Sequence, residues 1–402
     1  MNTKKMTRRA LLIACLALPF ATAPGFAQTA KPPLKIGVIL PLTGFQASYG
    51  EMYRVAMNMA FEDINKAGGI NGSRVEVTIQ DDQGAPAQSA LLFRRYVADG
   101  DVAVLGPISG STWETVAPLA NSLKTPALNW TALKPGISKK PYALRLHPAD
   151  DIMIPEGVAE FRKKFPNVHR IVIAGDLKEA SGASGVEEFR KAALAAKLDV
   201  VEVVGFETRT SDFSPVAIKI RGLAPDAVFL SAFMPNTLAL LREMEAQGFQ
   251  RPVLVNALIW AGALPQLVGP LGKNVFSIGF NTNEPAPEVK GQPEFVARYV
   301  KTAAETTKLP QPANVANTTL TYDTVMLLAQ TMRDLKIDGN TDVQKAREAI
   351  SGVLSSMKSF HGLNTLTMLA SGDGNIRSHL LEVDVQKKIW KYALPASERI
   401  GK

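Results

Sequence analysis

Short apolar runs recur along this chain, each leading through a turn into a stretch with helical spacing. The first series is Lys35–Leu40, Val75–Gln80, Val102–Leu105 and Pro126–Asn129. A second follows: Arg170–Ala174, Val200–Val204, Ala227–Leu230, Pro252–Val255 and Val275–Phe280. Several lack any polar alternation, which fits strands covered on both faces. Between them, Met52, Ala56, Met59, Ala60 and Ile64 fall on one helix face. Leu238, Leu241 and Met244 do the same after Pro235, and Gly248 ends that helix. Strand and helix in alternation predict parallel sheets joined by right-handed crossovers, an α/β fold.

Two series predict two lobes. The first break falls near Arg145 to Asp151, where Leu146-His147-Pro148-Ala149 has no period. Asn281 to Pro293, rich in Pro, Asn and Glu, is a second irregular stretch, and Ser356 to Gly362 is a third. Helices at about Glu294–Thr307 and Thr321–Leu335, and a final piece Leu380–Tyr392, complete the chain. Three irregular stretches predict lobes built from separated segments. The expected division is 34–147 with 281–357 for the first lobe and 148–280 with 362–392 for the second.

Residues 1–27 have the layout of an export signal. Lys4, Lys5, Arg8 and Arg9 form a positive head, Ala10–Phe20 is an apolar run too short to span a bilayer, and Gly25-Phe26-Ala27 supplies a small-residue cleavage site. Cleavage is expected before Gln28. Arg8-Arg9 admits a twin-arginine route beside the general secretory one. Cys15 reads as a residue of the apolar run rather than an acylation site, because few apolar residues precede it. Removing this segment's four basic residues takes the formal charge from +8 to +4, an ordinary surface that gives no argument for nucleic acid or an anionic membrane. Cys15 is the one cysteine, so the processed chain has no thiol chemistry and no disulfide.

The motifs point to binding rather than catalysis. The four histidines, His147, His169, His361 and His379, show no metal spacing. Gly-x-Ser-x-Gly, Gly-x-Gly-x-x-Gly and the Gly-Lys-Ser/Thr phosphate loop are missing. Asp81-Asp82 reads as turn and cap chemistry in preference to a metal pair. Ser181-Gly182-Ala183-Ser184-Gly185 reads as a loop and helix cap in which serine oxygens satisfy free amides. His147 stands at the proposed lobe crossing, either as a cleft hydrogen-bonding group or in a plain structural role.

Small hydroxyl loops follow the strands instead. Gly106-Pro107-Ile108-Ser109-Gly110-Ser111-Thr112 precedes a helix expected from about Trp113. It either holds an oxygen-rich ligand on its amides and hydroxyls or merely caps that helix. Asn129-Trp130-Thr131-Ala132-Leu133 lies at the same sheet edge, with Trp130 a core plug or a pocket wall. Open α/β sheets bind ligands at that edge.

Together these pieces resemble the type I periplasmic binding proteins, in particular the branched-chain amino-acid ABC-transporter receptors. The resemblance covers nearly the whole processed chain, and its marks are Ile36-Gly37-Val38, Leu42-Thr43-Gly44, Tyr49-Gly50, Asp63-Ile64-Asn65, Ala67-Gly68-Gly69-Ile70-Asn71-Gly72, Asp81-Asp82 and Gly106-Pro107 with its serines, in that order and spacing. The resemblance implies two α/β lobes with three hinge crossovers closing on a small solute. It also implies a monomer in the periplasm, no cofactor, no catalysis, and transfer of the ligand to a membrane permease and ATPase on other chains. By motif, Tyr49 would pack on the ligand from the first loop. Ser109, Gly110, Ser111 and the Thr131-Ala132 backbone would grip its carboxylate, and Ser181, Phe233 and the segment near Leu258 would close from the second lobe.

The departures matter. Amino-acid receptors of this family carry an acid near Leu258 to pair the ligand's ammonium, and Asn256-Ala257-Leu258-Ile259-Trp260 contains none. A buried ammonium without a counter-charge is costly, so an amino acid would need an acid from elsewhere, such as Asp176 or Glu284. Trp130, Leu133, Phe233, Leu258 and Trp260 are expected to form an apolar wall. The expected ligand is a carboxylate without an α-amino group, an aromatic acid being favoured. An amino-acid receptor, an amide or urea receptor, and the sensing partner of a membrane signalling protein stay open as alternatives.

Overall fold

A computed structural model describes residues 31–284 and 289–399. The export-signal residues, Cys15 and the paired arginines lie outside them. The first sheet holds β1 (Leu34–Leu40), β2 (Val75–Asp81), β3 (Ala103–Leu105), β4 (Ala127–Asn129) and β5 (Ala143–Arg145). Its spatial order is β2-β1-β3-β4-β5, with every pair parallel. The crossovers carry α1 (Ala47–Lys66), α2 (Pro86–Ala98) and α3 (Gly110–Ser122).

The second sheet begins after α4 (Asp150–Lys164). Its parallel part comprises β6 (Arg170–Asp176), β7 (Asp199–Phe206), β8 (Ala227–Ser231), β9 (Val253–Val255) and β10 (Val275–Gly279). Between these strands run α5 (Ala180–Ala195), α6 (Ser214–Leu223), α7 (Met234–Ala246) and the single-turn α8 (Leu264–Leu267). All residues of β8, β9 and β10 are buried, which explains their continuous apolar composition.

The chain then returns to the first layer. The helices α9 (Gln292–Thr306), α10 (Thr318–Asp334) and α11 (Val343–Ser356) follow, and both α9 and α10 pack on α1. Next comes a small antiparallel sheet of β11 (Ser359–His361), β12 (Thr365–Met368) and β13 (Gly374–Asn375). The final piece is a hairpin, β14 (His379–Asp384) and β15 (Ile389–Tyr392), which adds to β10 antiparallel. The second sheet is therefore parallel with an antiparallel edge, in the order β15-β14-β10-β9-β8-β6-β7.

Passages between the two sheets lie between β5 and α4, between β10 and α9, and between β13 and β14. Buried polar contacts hold the first and third together. Arg145, fully buried at the end of β5, donates to the carbonyls of Ala132 (2.9 Å) and Lys134 (2.6 Å). Its Nη2 lies 2.8 Å from Asp373 Oδ1, close as an ion pair but off the hydrogen-bond line. The carboxylate of Asp323 on α10 accepts from the amides of Leu363 and Asn364, each at 2.8 Å. Burial pushes Asp323 up to about 6. Removing one partner of a buried ion pair strands the other charge. Asp373→Ala should therefore cost about 3 kcal/mol in urea unfolding, and a loss near zero would show that Arg145 is held by its two carbonyl acceptors alone.

Candidate ligand site in the interlobe cleft

The carboxyl ends of both sheets face one cleft. Its inner wall is formed by Tyr49, Tyr53, Ile108, Ser109, Thr131, Ala132, Leu133 and Asn317 on the side of the first sheet. His147, Ser181, Phe233, Ala257, Leu258, Trp260 and Ala261 complete it. The space among them is about 20 Å³, room for on the order of one water molecule. Any larger guest requires the lobes to part, as hinge closure allows.

Tyr49 stands in the first turn of α1 rather than in the preceding loop, because the helix begins two residues earlier, at Ala47. Its hydroxyl donates to the Leu258 carbonyl and accepts from the Met234 amide, each at 2.8 Å. Its ring meets Phe233 edge-on at 5.4 Å. Tyr49 thus bridges the cleft by itself. Tyr53, one helical turn on, lines the same cavity, and the i, i+4 spacing was its only signal in the sequence.

Helix α3 starts earlier than its sequence predicts, at Gly110. Ser109 is its cap: the hydroxyl accepts from the Thr112 amide at 3.3 Å and lies 2.9 Å from the Thr112 hydroxyl. The Ser181–Gly185 stretch, expected as a loop capped by its own serines, is the first part of α5. A glutamate caps it instead, since its longer side chain folds back onto the free amides of the first turn. Glu179 Oε2 accepts from Ser181 (2.7 Å) and Gly182 (2.9 Å). Its Oε1 reaches the other lobe and accepts from the Ser111 amide at 3.0 Å. The Ser111 hydroxyl accepts from the Ala180 amide at 3.0 Å. One buried carboxylate therefore joins the starts of α3 and α5, where aligned peptide dipoles favour negative charge. Its composition gave no warning, because glutamate is not a favoured cap residue.

The same junction explains Gly110. A Cβ there would come within 2.4 Å of Ser181 Oγ and 2.9 Å of Ser181 N. The closed lobes leave no room for a side chain.

Other sequence-predicted residues sit as follows. The amides of Thr131 and Ala132 both donate to Asn129 Oδ1 at 2.8 Å, so that loop is braced from within. Trp130 is fully buried one layer back, edge-on to Tyr53 at 5.8 Å, and acts as a core plug. Ser181 Oγ accepts from the Leu133 amide at 3.3 Å. His147 is buried with its ring 5.4 Å from Phe280, and its Nδ1 lies 2.7 Å from the Pro148 carbonyl. A carbonyl can only accept, so Nδ1 carries the proton. Burial, aided by the charge of Arg145, pushes the imidazole down to about 3. Asp81 and Asp82 do turn chemistry: Asp81 accepts from Leu42 and Gln83, and Asp82 from Gly84 and the Ser89 hydroxyl. Asn317, which lines the cavity from the chain just before α10, had no sequence signal.

Two outcomes are expected. Glu179→Ala and Gly110→Ala should each enlarge the ligand-free particle in small-angle scattering without lowering the melting temperature much. Unchanged scattering from both would mean that the α3–α5 junction does not hold the lobes shut. For His147, the unfolded chain takes up a proton below about pH 6.5, which the folded one refuses until about 3. Stability should fall through that window by about 1.4 kcal/mol per pH unit. Asp101 and Asp323, both pushed up to about 6 by burial, run the other way at the same acid pH. The wild type must therefore be compared with His147→Phe by urea unfolding at pH 7 and 5. Equal pH slopes would contradict a neutral buried imidazole.

Comparison with known proteins agrees with this geometry. Residues 33–379 match the family model described as periplasmic binding protein. The leucine-, isoleucine-, valine-, threonine- and alanine-binding protein of Pseudomonas aeruginosa is 28% identical over 61% of this chain and 65% of its own length. The Leu/Ile/Val-binding protein BraC3 of Rhizobium johnstonii is 28% identical over 61% and 64%. The chain thus spans less than two thirds of the length of these relatives. Among solved structures, LivJ of Streptococcus pneumoniae in complex with isoleucine superposes with a TM-score of 0.75 at 19% identity, covering 90% of this chain and 100% of that one. A solute-binding protein of an ABC transporter from R. palustris, in complex with 4-hydroxybenzoate, gives 0.76 at 21% identity, covering 90% and 96%. Among the described residues, no helix is long and apolar enough to cross a membrane. With its two α/β sheets facing one cleft, the chain belongs to the periplasmic binding protein family and is similar to its branched-chain amino-acid receptors.

Proposed function

We propose that this chain is the extracytoplasmic solute receptor of an ABC importer, capturing a small aromatic acid that lacks an α-amino group and passing it to a permease and an ATPase. The supporting observation is the make-up of the cavity wall: Leu133, Phe233, Ala257, Leu258 and Trp260 line it, and among the described residues no acidic side chain does. An aromatic body gains from burial against that wall. An ammonium would enter without a counter-charge. Glu284, one of the acids considered for that role, is engaged with Lys387 at 2.8 Å.

The anionic end has support beside the cavity. The starts of α3 and α5 already hold a carboxylate, that of Glu179. In this reading a ligand carboxylate exchanges for Glu179 as the lobes part and close again. Lys178 and Arg209 line the outer part of the cleft, a chamber of about 500 Å³, and would draw anions inward. The export signal of the sequence agrees with a periplasmic site of action, and the receptor acts as a monomer.

The amino-acid reading has its own support in the named specificities of the sequence relatives. It also has one candidate acid, Asp176, which is buried with Oδ2 unpartnered. Calorimetric titration with benzoate, 4-hydroxybenzoate, leucine and glutamate separates the two. Heat from the aromatic acids alone is expected, and tight leucine binding with silent aromatic acids would reverse the assignment.

A further inference from the structure

The cavity contains a second kind of group, which neither the apolar wall nor an anion seat uses. Asn317 is 2% exposed and lines the cavity. Its Nδ2 donates to the Trp130 carbonyl at 2.6 Å, which fixes the amide orientation. Its Oδ1 has no hydrogen-bond partner. A buried acceptor left unmet carries a penalty that a matching donor removes. His147 lines the same cavity. With its Nδ1 proton committed to the Pro148 carbonyl, Nε2 offers only a lone pair.

Two neutral acceptors beside the Tyr53 hydroxyl, in an enclosure that no acid among the described residues lines, favour a neutral hydroxyl. A ring hydroxyl brings one hydrogen and no charge. An ammonium brings several hydrogens and a charge that nothing in the cavity offsets. A plain hydrocarbon body leaves Asn317 Oδ1 as it stands.

We propose that Asn317 and His147 are specificity-determining residues that select ligands carrying a hydroxyl on the ring, with Asn317 Oδ1 the principal acceptor and His147 Nε2 the second. This deepens the aromatic-acid reading and rests on it for the carboxylate, but not for the hydroxyl.

The test compares isosteric pairs that differ in the donor alone. The 3- and 4-hydroxybenzoates are titrated calorimetrically against 3- and 4-fluorobenzoate, and phenol against fluorobenzene, on the full processed chain. One hydroxyl isomer should bind about tenfold or more tightly than its fluoro partner, the cost of an unmet buried acceptor. That ratio should collapse to about twofold in Asn317→Leu or in His147→Phe, whichever residue receives the hydrogen; fluorine cannot donate, so fluoro-ligand binding should change little. The ratio is read within each protein, so a general loss of fold does not imitate the result. The proposal is overturned if the hydroxyl and fluoro members bind equally to the wild type, or if the ratio persists in both variants. Should no benzoate bind while phenol outbinds fluorobenzene, the carboxylate reading fails and the hydroxyl inference stands. Equal binding of phenol and fluorobenzene in that case sinks both.

Discussion

The meeting of two helix starts through one carboxylate organises the cleft. Glu179 accepts amides from α5, to which it belongs as cap, and from α3 on the other sheet. Each helix leaves unsatisfied amides at its first turn, and a single anion answers both. The contact is possible because Gly110 presents no side chain to Ser181. Tyr49 adds a second bridge nearby, hydrogen-bonded to Leu258 and Met234. Closure thus has a polar clasp at the α3–α5 junction and an aromatic latch at Tyr49, which also lines the inner cavity.

That arrangement divides the chemistry of the site. The amides that could hold an oxygen-rich ligand lie at the helix starts and are engaged by the chain itself. The inner cavity mixes an apolar wall with neutral polar groups, among them the Tyr53 hydroxyl and the unpartnered Asn317 Oδ1. A receptor for a zwitterion needs opposite charges at both ends of the guest. This cleft has amide donors at one end and neutral polar groups at the other, the basis of the aromatic-acid proposal.

Much of the fold was legible because strands covered on both faces must be continuously apolar. The runs at Ala227–Leu230, Pro252–Val255 and Val275–Phe280 correspond to β8, β9 and β10, all buried. Helix starts were read less well. Gly110–Thr112 and Ser181–Gly185 look like loop sequence, since serine and glycine disfavour helix interiors. The first turn tolerates them when a cap satisfies the amides, and at α5 that cap is a glutamate. The antiparallel hairpin of β14 and β15 was also hidden, because an edge strand's direction depends on where the chain returns from.

The sequence by itself determined the α/β class, the sheet-edge loops, and the missing acid near Leu258, because periodicity and residue chemistry are local properties. Only the tertiary structure decided which residues share the cleft. Tyr49 and Leu258 are 209 positions apart, and Ser111 and Glu179 are 68 apart, yet each pair is hydrogen-bonded. No local pattern encodes such pairings. They follow from how two sheets, threaded by a chain that crosses between them, set their loops against each other.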